Sequence, residues 1–211
     1  MALVTGALLV GWASVFAVGM ARLWHYEGTS GTAAAAPAAW PAEASVRPDP
    51  ATPLTLVMFL HPQCPCSRAS VEELARLMAH AQGAIEAKVF MIRPDGMPAG
   101  WERTSLWDSA AAIPGVSVSF DAGGAECRRF GAATSGQALL YDGTGGRLLF
   151  AGGITESRGH AGDNAGSDAI LTIARGHAIA GAPAPATPVY GCPLFGPQCQ
   201  QAGEGNAACR K

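Results

Sequence analysis

A nearly continuous apolar run, Leu54–Leu60, is the feature that most constrains the fold of this chain. Its length and composition are typical of a strand buried on both faces, as in the centre of a parallel sheet. After a short turn, Ser67–Ala81 carries apolar residues on one stripe and charged residues on the other, which predicts an amphipathic helix. A second apolar run, Ile85–Ile92, comes next. This strand–helix–strand order predicts an α/β fold in which the two strands are parallel and the crossover is right-handed.

Weaker patterns downstream predict the rest of a single domain. Turn residues and alternation indicate a helix near Trp101–Ala112, a strand through Val116–Phe120, a short helix near Ala125–Phe130, a hairpin of Gln137–Tyr141 and Arg147–Ala151, and a closing helix over Asp163–Ile179. The predicted order is βαβ, then αβ, then α, ββ and α. A length of 211 residues is enough for one ordinary domain with attachments.

The first 21 residues carry no charged side chain. A helix of that length spans the ~30 Å hydrocarbon core of a bilayer. We therefore predict that residues 1–24 are a transmembrane anchor, with residues 3–23 in the membrane, or else a signal peptide. The missing basic n-region favours an uncleaved anchor. Arg22 favours a cytoplasmic downstream side, whereas six cysteines in a small chain favour export.

Two segments of biased composition flank the predicted domain, which covers residues 52–180. Residues 25–51 are rich in Ala and Pro and lack an apolar period, so we expect a flexible tether whose Trp40 contacts at most the membrane interface. Residues 181–211 form a tail that contains Cys192, Cys199 and Cys209. The disulfide connectivity stays open, and both a Cys199–Cys209 bridge and a Cys192 that reaches back to the domain are considered.

Composition excludes some classes of protein. With 14 Lys and Arg against 16 Asp and Glu, the net charge is −2, and no basic field is available to hold phosphate backbones. We therefore exclude nucleic acid as a partner. A hydrophobic fraction of 49% excludes a fully disordered chain. The six cysteines point to redox chemistry, metal binding or structural disulfides.

Cys64, Pro65 and Cys66 form the turn between the first predicted strand and the first predicted helix. A thiol at that joint meets unpaired backbone N–H groups and the positive end of the helix dipole, which favour the thiolate. The thiolate is the nucleophilic form of cysteine. Proline in the first helical turn is compatible with the helix, because its missing N–H would have no partner there. The pattern therefore predicts a nucleophilic cysteine.

The element order and the residues at its joints resemble the thioredoxin superfamily over residues 52–180. Five segments together resemble, more closely, the bacterial proteins called RedB: His61–Ser70, Thr134–Gln137, Gly152–Thr155, Arg158–Asn164 and Tyr190–Leu194. This resemblance implies a thioredoxin-like fold of βαβ plus ββα and partners that carry thiols or disulfides. It also implies a membrane-anchored protein of the bacterial inner membrane, with its domain facing the periplasm.

The chain departs from the superfamily pattern at two places. The usual Cys-x-x-Cys is shortened to Cys-x-Cys, whose disulfide ring is harder to close without strain. Two registers stay open: Cys64 as the nucleophile with Ser67 ending the motif, which we prefer because that position is reachable, or Cys66 in the resolving position. In addition, Gly136 stands where such proteins carry a cis-proline, so the loop beside the cysteines is either retained through glycine's conformational freedom or lost.

Three further side chains either belong to the site around the cysteine motif or have no part in it. His61 adjoins the cysteine motif and is a candidate to tune a thiolate. His160, in a glycine-rich stretch, is either a proton shuttle or ligand, or a solvated loop residue beside the Asp163 or Asn164 that caps the last helix. Cys127 is expected to be a partly buried free thiol.

Two function classes follow from these residues. In the first, a membrane-tethered thiol-disulfide oxidoreductase, Cys64 attacks a partner disulfide or a peroxide, and either Cys66 or Cys192 resolves the intermediate. In the second, the protein handles copper(I), with Cys64, Cys66 and either His160 or His61 as candidate ligands, because soft thiolates suit that ion. A non-catalytic membrane-tethered module with structural cysteines is the remaining alternative. No cofactor besides copper is considered.

Overall fold

The apolar run Leu54–Leu60 forms β1, the central strand of a five-stranded sheet in a computed structural model that describes residues 2–32, 35–177 and 186–196. The other strands are β2 (Ile85–Arg93), β3 (Val116–Ala122), β4 (Gln137–Asp142) and β5 (Leu148–Gly152). Their order is β3-β2-β1-β4-β5, with β1, β2 and β3 parallel and β4 antiparallel to both β1 and β5. The predicted central strand and its parallel partner are confirmed.

The helices are α1 (Ala2–Gly28), α2 (Ser67–Ala81), α3 (Ser105–Ala111), α4 (Ala125–Arg129) and α5 (Ala165–Thr172), with one π-helical turn over Ile173–His177. α2 has the bounds that its periodicity predicts. α3 begins later than predicted, because Thr104 caps its first turn by accepting a hydrogen bond from the Leu106 N–H. α5 ends at Thr172, and the turn after it is kinked at Gly176, which has a left-handed φ of 81°. The predicted end of this helix, Ile179, lies outside the described residues.

Both faces of the sheet carry an apolar core. Alternate residues of β1, including Leu56 and Met58, pack with α2, α3 and α5 on one face, whereas Val57 and Phe59 pack with Phe130 and its neighbours on the other. Phe59 stacks on Phe90 with ring centroids 5.6 Å apart. Because both faces are covered, β1 is a buried strand whose carboxyl end can hold a turn rigidly.

α1 has the length and composition of a membrane span over Leu3–Gly28, and none of its apolar window is buried in the described chain. Large apolar side chains along it are exposed, among them Leu3, Trp12 and Phe16. Such a surface requires an apolar environment other than the protein itself. α1 therefore has the length, composition and exposure of a membrane anchor or a signal sequence.

The segment after α1 differs from the flexible tether predicted for residues 25–51. The Trp40 ring packs edge-on against Phe130 and Tyr141, with ring centroids 5.1 and 5.2 Å apart, and its N–H donates to the Val46 carbonyl at 3.2 Å. The Tyr141 hydroxyl donates to the Pro37 carbonyl at 3.1 Å. The expected interfacial role of Trp40 is wrong, because its ring lies on the second face of the sheet and packs with Phe130 and Tyr141 there.

Replacement of Trp40 by alanine is expected to lower the free energy of unfolding by about 2 kcal/mol, since the half-buried indole loses its aromatic contacts and leaves a cavity over the sheet. Chemical denaturation of the full-length protein in detergent measures this change. Trp24→Ala is the matched control, because Trp24 is 69% exposed on α1. An equal loss in both variants would contradict the packing role of Trp40.

Candidate functional site

The cysteine motif forms a tight turn at the carboxyl end of β1. The Cys64 N–H donates to the His61 carbonyl at 3.0 Å, and the Ser67 N–H donates to the Cys64 carbonyl at 3.1 Å. Pro65 lies at the second position of the latter turn, where its fixed φ is favoured. Cys66 is the N-cap residue of α2, with helical φ and ψ of −68° and −25°. The turn therefore presents Cys64 just ahead of the N-terminus of α2.

A second sulfur lies against Cys64. The Sγ atoms of Cys64 and Cys192 are 2.7 Å apart, although the two residues are separated by 128 positions in the sequence. Cys192 belongs to a short extended segment, residues 186–196, which we call the C-terminal strap. The strap pairs with the loop before β4: the Ser135 N–H donates to the Cys192 carbonyl at 2.8 Å, and the Leu194 N–H donates to the Ala133 carbonyl at 2.9 Å. The structure thus brings Cys192 back to the motif.

The environment lowers the pKa of Cys64 alone among the cysteines at this site. Burial raises the pKa of Cys64, but hydrogen bonds from the Cys192 thiol, the Ser67 hydroxyl and nearby backbone N–H groups outweigh it and lower that pKa below its usual value. Burial and the negative charge of Cys64 raise the pKa of Cys66. Burial and the hydrogen bond to Cys64 also raise the pKa of Cys192. Cys64 is therefore the most acidic of the three thiols at the site.

Two serine hydroxyls support the turn. The Oγ atoms of Ser67 and Ser135 are 2.7 Å apart, and the His61 N–H donates to Ser135 Oγ at 2.8 Å. Ser135 is 1% exposed, so this bond fixes the loop before β4 against the cysteine turn. Sequence reasoning included Ser135 in a motif but did not assign it to the site, because serine has no local signal for such a contact.

His61 contacts other groups beside the motif. Its Nδ1 accepts a hydrogen bond from the Gln63 N–H at 3.2 Å, and its ring lies edge-on to Trp101 with centroids 5.5 Å apart. Burial lowers the pKa of His61, which keeps the imidazole neutral at neutral pH. A neutral ring supplies no full positive charge to a neighbouring thiolate, so His61 shapes the turn through packing.

Arg158 supplies a positive charge near the thiols. Its guanidinium donates to the Gly191 carbonyl, next to Cys192, and to the Thr29 carbonyl at 3.1 Å. It also lies 4.9 Å above the Tyr26 ring at the end of α1. This charge opposes the increase in the pKa of both Cys66 and Cys192 that burial and Cys64 cause. Arg158 therefore links the strap and the end of α1 to the site.

A shallow cleft reaches Cys64 from a side that the strap does not line. Its walls come from the cysteine turn and from the start of α3, with Gln63, Arg68, Thr104 and Leu106 among the lining residues. Cys64 itself is only 5% exposed, because the strap covers its sulfur. The cleft is therefore the open side of the cysteine turn in the described chain.

Two solved structures have the same fold as this chain. One is a hypothetical protein from Sinorhizobium meliloti 1021, with 20% identity, a TM-score of 0.54 and coverage of 80% of this chain and 96% of that one. The other is an uncharacterized conserved protein from Geobacillus kaustophilus, with 17% identity, a TM-score of 0.54 and coverage of 79% and 92%. No family model matches the chain, and no curated protein matches it.

The topology identifies this shared fold. A parallel β1–α2–β2 unit and an antiparallel β4–β5 hairpin with α5 form one mixed sheet, and the cysteines lie between β1 and α2. The fold is thioredoxin-like. A secreted disulfide oxidoreductase from Mycobacterium tuberculosis, described as homologous to E. coli DsbE, is similar at 15% identity and a TM-score of 0.41, over 59% of this chain and 81% of that one. The finer resemblance to RedB stays a prediction.

Gly136, which stands where thioredoxin-like proteins carry a cis-proline, lies in the loop that packs beside the cysteine turn. Gly136 has a left-handed φ of 92°, and its N–H donates to the Phe59 carbonyl at 2.8 Å. A Cβ atom at this position would lie 2.8 Å from Ser70 Oγ. Glycine therefore permits both the backbone conformation and the close approach to α2. Whether this loop does what the cis-proline loop of thioredoxin-like proteins does stays a prediction.

His160 lies on an exposed loop of the thioredoxin-like domain. Its Nδ1 is 3.0 Å from Ser157 Oγ and 2.9 Å from the Arg158 carbonyl, so its ring is held by its own loop. Asn164 caps α5 by accepting a hydrogen bond from the Ser167 N–H at 2.8 Å. Within residues 2–32, 35–177 and 186–196, no group of three or more His, Cys, Asp or Glu side chains is arranged to hold a metal ion. The set of Cys64, Cys66 and His160 is thus not assembled in this structure.

Three cysteines remain: Cys127 is buried in the domain, and Cys199 and Cys209 lie outside the described residues. Cys127 is a free thiol that is fully buried rather than partly buried, and burial together with the negative charge of Asp121 raises its pKa well above the usual value. A protonated, inaccessible thiol is inert. The predicted Cys199–Cys209 bridge lies outside the described residues.

Proposed function

We propose that this protein is a thiol-disulfide oxidoreductase that α1 holds at the bacterial inner membrane, with its thioredoxin-like domain on the periplasmic side. The observation that supports it best is the pairing at Cys64: a thiol with a lowered pKa lies 2.7 Å from a second thiol. A reactive thiolate beside another cysteine is the arrangement that dithiol exchange requires.

The first chemical step uses the Cys-Pro-Cys turn. The Cys64 thiolate attacks one sulfur of a partner disulfide, forming a Cys64–partner bond and breaking the partner's own disulfide. The second partner sulfur leaves as a thiolate and takes a proton from water. Hydrogen bonds from Ser67 and backbone N–H groups stabilise the attacking thiolate before this step. Partners are therefore proteins or small molecules that carry a disulfide or, in the reverse direction, a dithiol.

The test measures the reduction of glutathione disulfide by the full-length, fully reduced protein in detergent. Cys64→Ser is expected to reduce the exchange to the uncatalysed rate, because a hydroxyl cannot form the mixed disulfide. Cys127→Ser is the matched control and is expected to exchange as the unmodified protein does, because Cys127 is buried away from solvent. Full activity in Cys64→Ser would contradict the proposal.

Titration of the same variants with copper(I) tests the metal alternative. Under that alternative, Cys64→Ser and Cys66→Ser weaken copper binding to the same degree, and no covalent intermediate forms with glutathione disulfide. We expect instead a covalent intermediate that depends on Cys64. Tight copper binding in the unmodified protein, together with no exchange activity, would replace the oxidoreductase proposal with the metal-handling one.

A further inference from the structure

We propose that Cys192, and not Cys66, is the resolving cysteine, so that Cys64 and Cys192 form the redox couple and the C-terminal strap carries half of the active site. This inference rests on the proposed function and assigns its second catalytic residue. It also implies that a disulfide between residues 128 positions apart forms and breaks during turnover.

The first support is the separation of the two sulfurs. At 2.7 Å, Cys64 Sγ and Cys192 Sγ are in direct contact, so no other group lies between them. The two sulfurs are therefore placed to react with each other. Because the fold holds the two thiols in contact, their reaction is intramolecular and requires no diffusional encounter.

The second support is the way the strap is held. Val189 and Leu194, on either side of Cys192, are 5% and 3% exposed and serve as apolar anchors. The Gly31 N–H donates to the Val189 carbonyl at 2.8 Å, which fixes the strap to the segment that follows α1. Because the chain is anchored on both sides of Cys192, the fold fixes the position of Cys192 over Cys64.

Gly191 gives a third observation. A Cβ atom on this residue would lie 1.9 Å from the Ser135 carbonyl oxygen, a distance that no side chain tolerates. The strap can approach the loop before β4 this closely only because glycine precedes Cys192. The backbone contact that places Cys192 therefore depends on the absence of a side chain at Gly191.

The contacts of Cys64 favour Cys192 over Cys66 as the resolving residue. Cys66 is the N-cap residue of α2, and its thiol donates a hydrogen bond to Cys64, so it contributes to the environment of the nucleophile. A disulfide between Cys64 and Cys66 would close a tight ring across one intervening residue, which is harder to form without strain. Cys192 comes from a separate segment and has no such constraint.

The resolving step balances with a partner disulfide as the oxidant. After Cys64 has formed the mixed disulfide, the Cys192 thiol loses its proton to solvent, and the resulting thiolate attacks Cys64 Sγ. The Cys64–Cys192 bond forms, the Cys64–partner bond breaks, and the partner sulfur that was bonded to Cys64 leaves as a thiolate and is protonated. Two electrons pass from the protein to the partner, which becomes a dithiol. An external dithiol reverses these steps and returns the protein to its reduced form.

The experiment follows the reduced full-length protein after addition of glutathione disulfide, with intact mass as the readout. Cys192→Ser is expected to accumulate one glutathionyl adduct on Cys64, whereas the unmodified protein and Cys66→Ser lose two hydrogens and carry no adduct. The Cys199→Ser/Cys209→Ser double variant is the matched control for the tail and is expected to behave as the unmodified protein. Accumulation of the adduct in Cys66→Ser, with normal resolution in Cys192→Ser, would overturn the inference and leave the proposed function intact.

A second readout maps the bond in the oxidised proteins. Trypsin leaves Cys64 and Cys66 on one peptide and Cys192, Cys199 and Cys209 on another, because no cleavable Lys or Arg separates the members of either group. The disulfide-linked pair of peptides is expected in the unmodified protein, in Cys66→Ser and in the tail double variant, and is expected to be lost in Cys64→Ser and Cys192→Ser. If no variant forms either an adduct or a crosslink, the proposed function fails together with the inference.

Discussion

Titration of the fully reduced protein is expected to show a first thiol deprotonation below the usual cysteine range of about 8.5, and Cys64→Ser is expected to remove it. The reason is the lowered pKa of Cys64, in which hydrogen bonds to the thiolate outweigh the cost of burial. As the pH falls through this lowered pKa, the thiolate takes up a proton and the exchange rate falls with it. At neutral pH the site therefore keeps a larger thiolate fraction than the few per cent of an ordinary cysteine.

Two substitutions of Cys192 separate its hydrogen bond from its redox chemistry. Cys192→Ala removes the donor to Cys64 and is expected to raise the first pKa, whereas Cys192→Ser keeps a hydroxyl donor and is expected to leave it near the value of the unmodified protein. Neither variant can form the Cys64–Cys192 disulfide. Ultraviolet absorbance of the thiolate, followed against pH, measures the midpoint in each protein. An unchanged midpoint in Cys192→Ala would show that the strap does not contribute to the stability of the thiolate.

The parts of the fold that were predicted well are those whose signals are local. The buried run of β1 and the apolar stripe of α2 each contain enough residues to fix type and bounds, and the helix matches at both ends. The hairpin strands differ from their predicted bounds by one residue each, because alternation locates a turn better than it locates the first paired residue. The turn that holds Cys64 followed directly from its place between these elements.

The segment after α1 was predicted poorly, because the average composition of a segment does not show where a single side chain packs. Its Ala and Pro content is typical of a linker, yet the Trp40 ring packs against Phe130 on the second face of the sheet. Likewise, the position of Cys192 depends on pairing between the strap and the loop before β4, and sequence spacing gives no measure of that distance. Arg158 was missed as a member of the site for the same reason, since its partners Thr29 and Gly191 are distant in the sequence.

Substitution of Gly191 by alanine tests the strap without touching any sulfur. The added Cβ would overlap the Ser135 carbonyl oxygen, so the strap has to shift away from the loop before β4, and Cys192 moves with it. The effective concentration of the Cys192 thiol at Cys64 then falls steeply, because intramolecular reactions of this kind depend on near-contact geometry. We expect resolution of the glutathionyl adduct to slow by at least about 100-fold.

Gly196→Ala is the matched control, because a Cβ atom there meets nothing within 4 Å. It is expected to resolve the adduct at the rate of the unmodified protein. The first attack by Cys64 should survive in Gly191→Ala, since the Ser67 hydroxyl and the backbone N–H groups of the turn still stabilise the thiolate. Reactions are quenched at successive times and the intact mass is measured. The rise of the adduct then gives the rate of the first attack, and its decay gives the rate of resolution. If Gly191→Ala resolves the adduct as fast as Gly196→Ala does, then the strap does not position Cys192 for catalysis, and the resolving thiol must come from elsewhere.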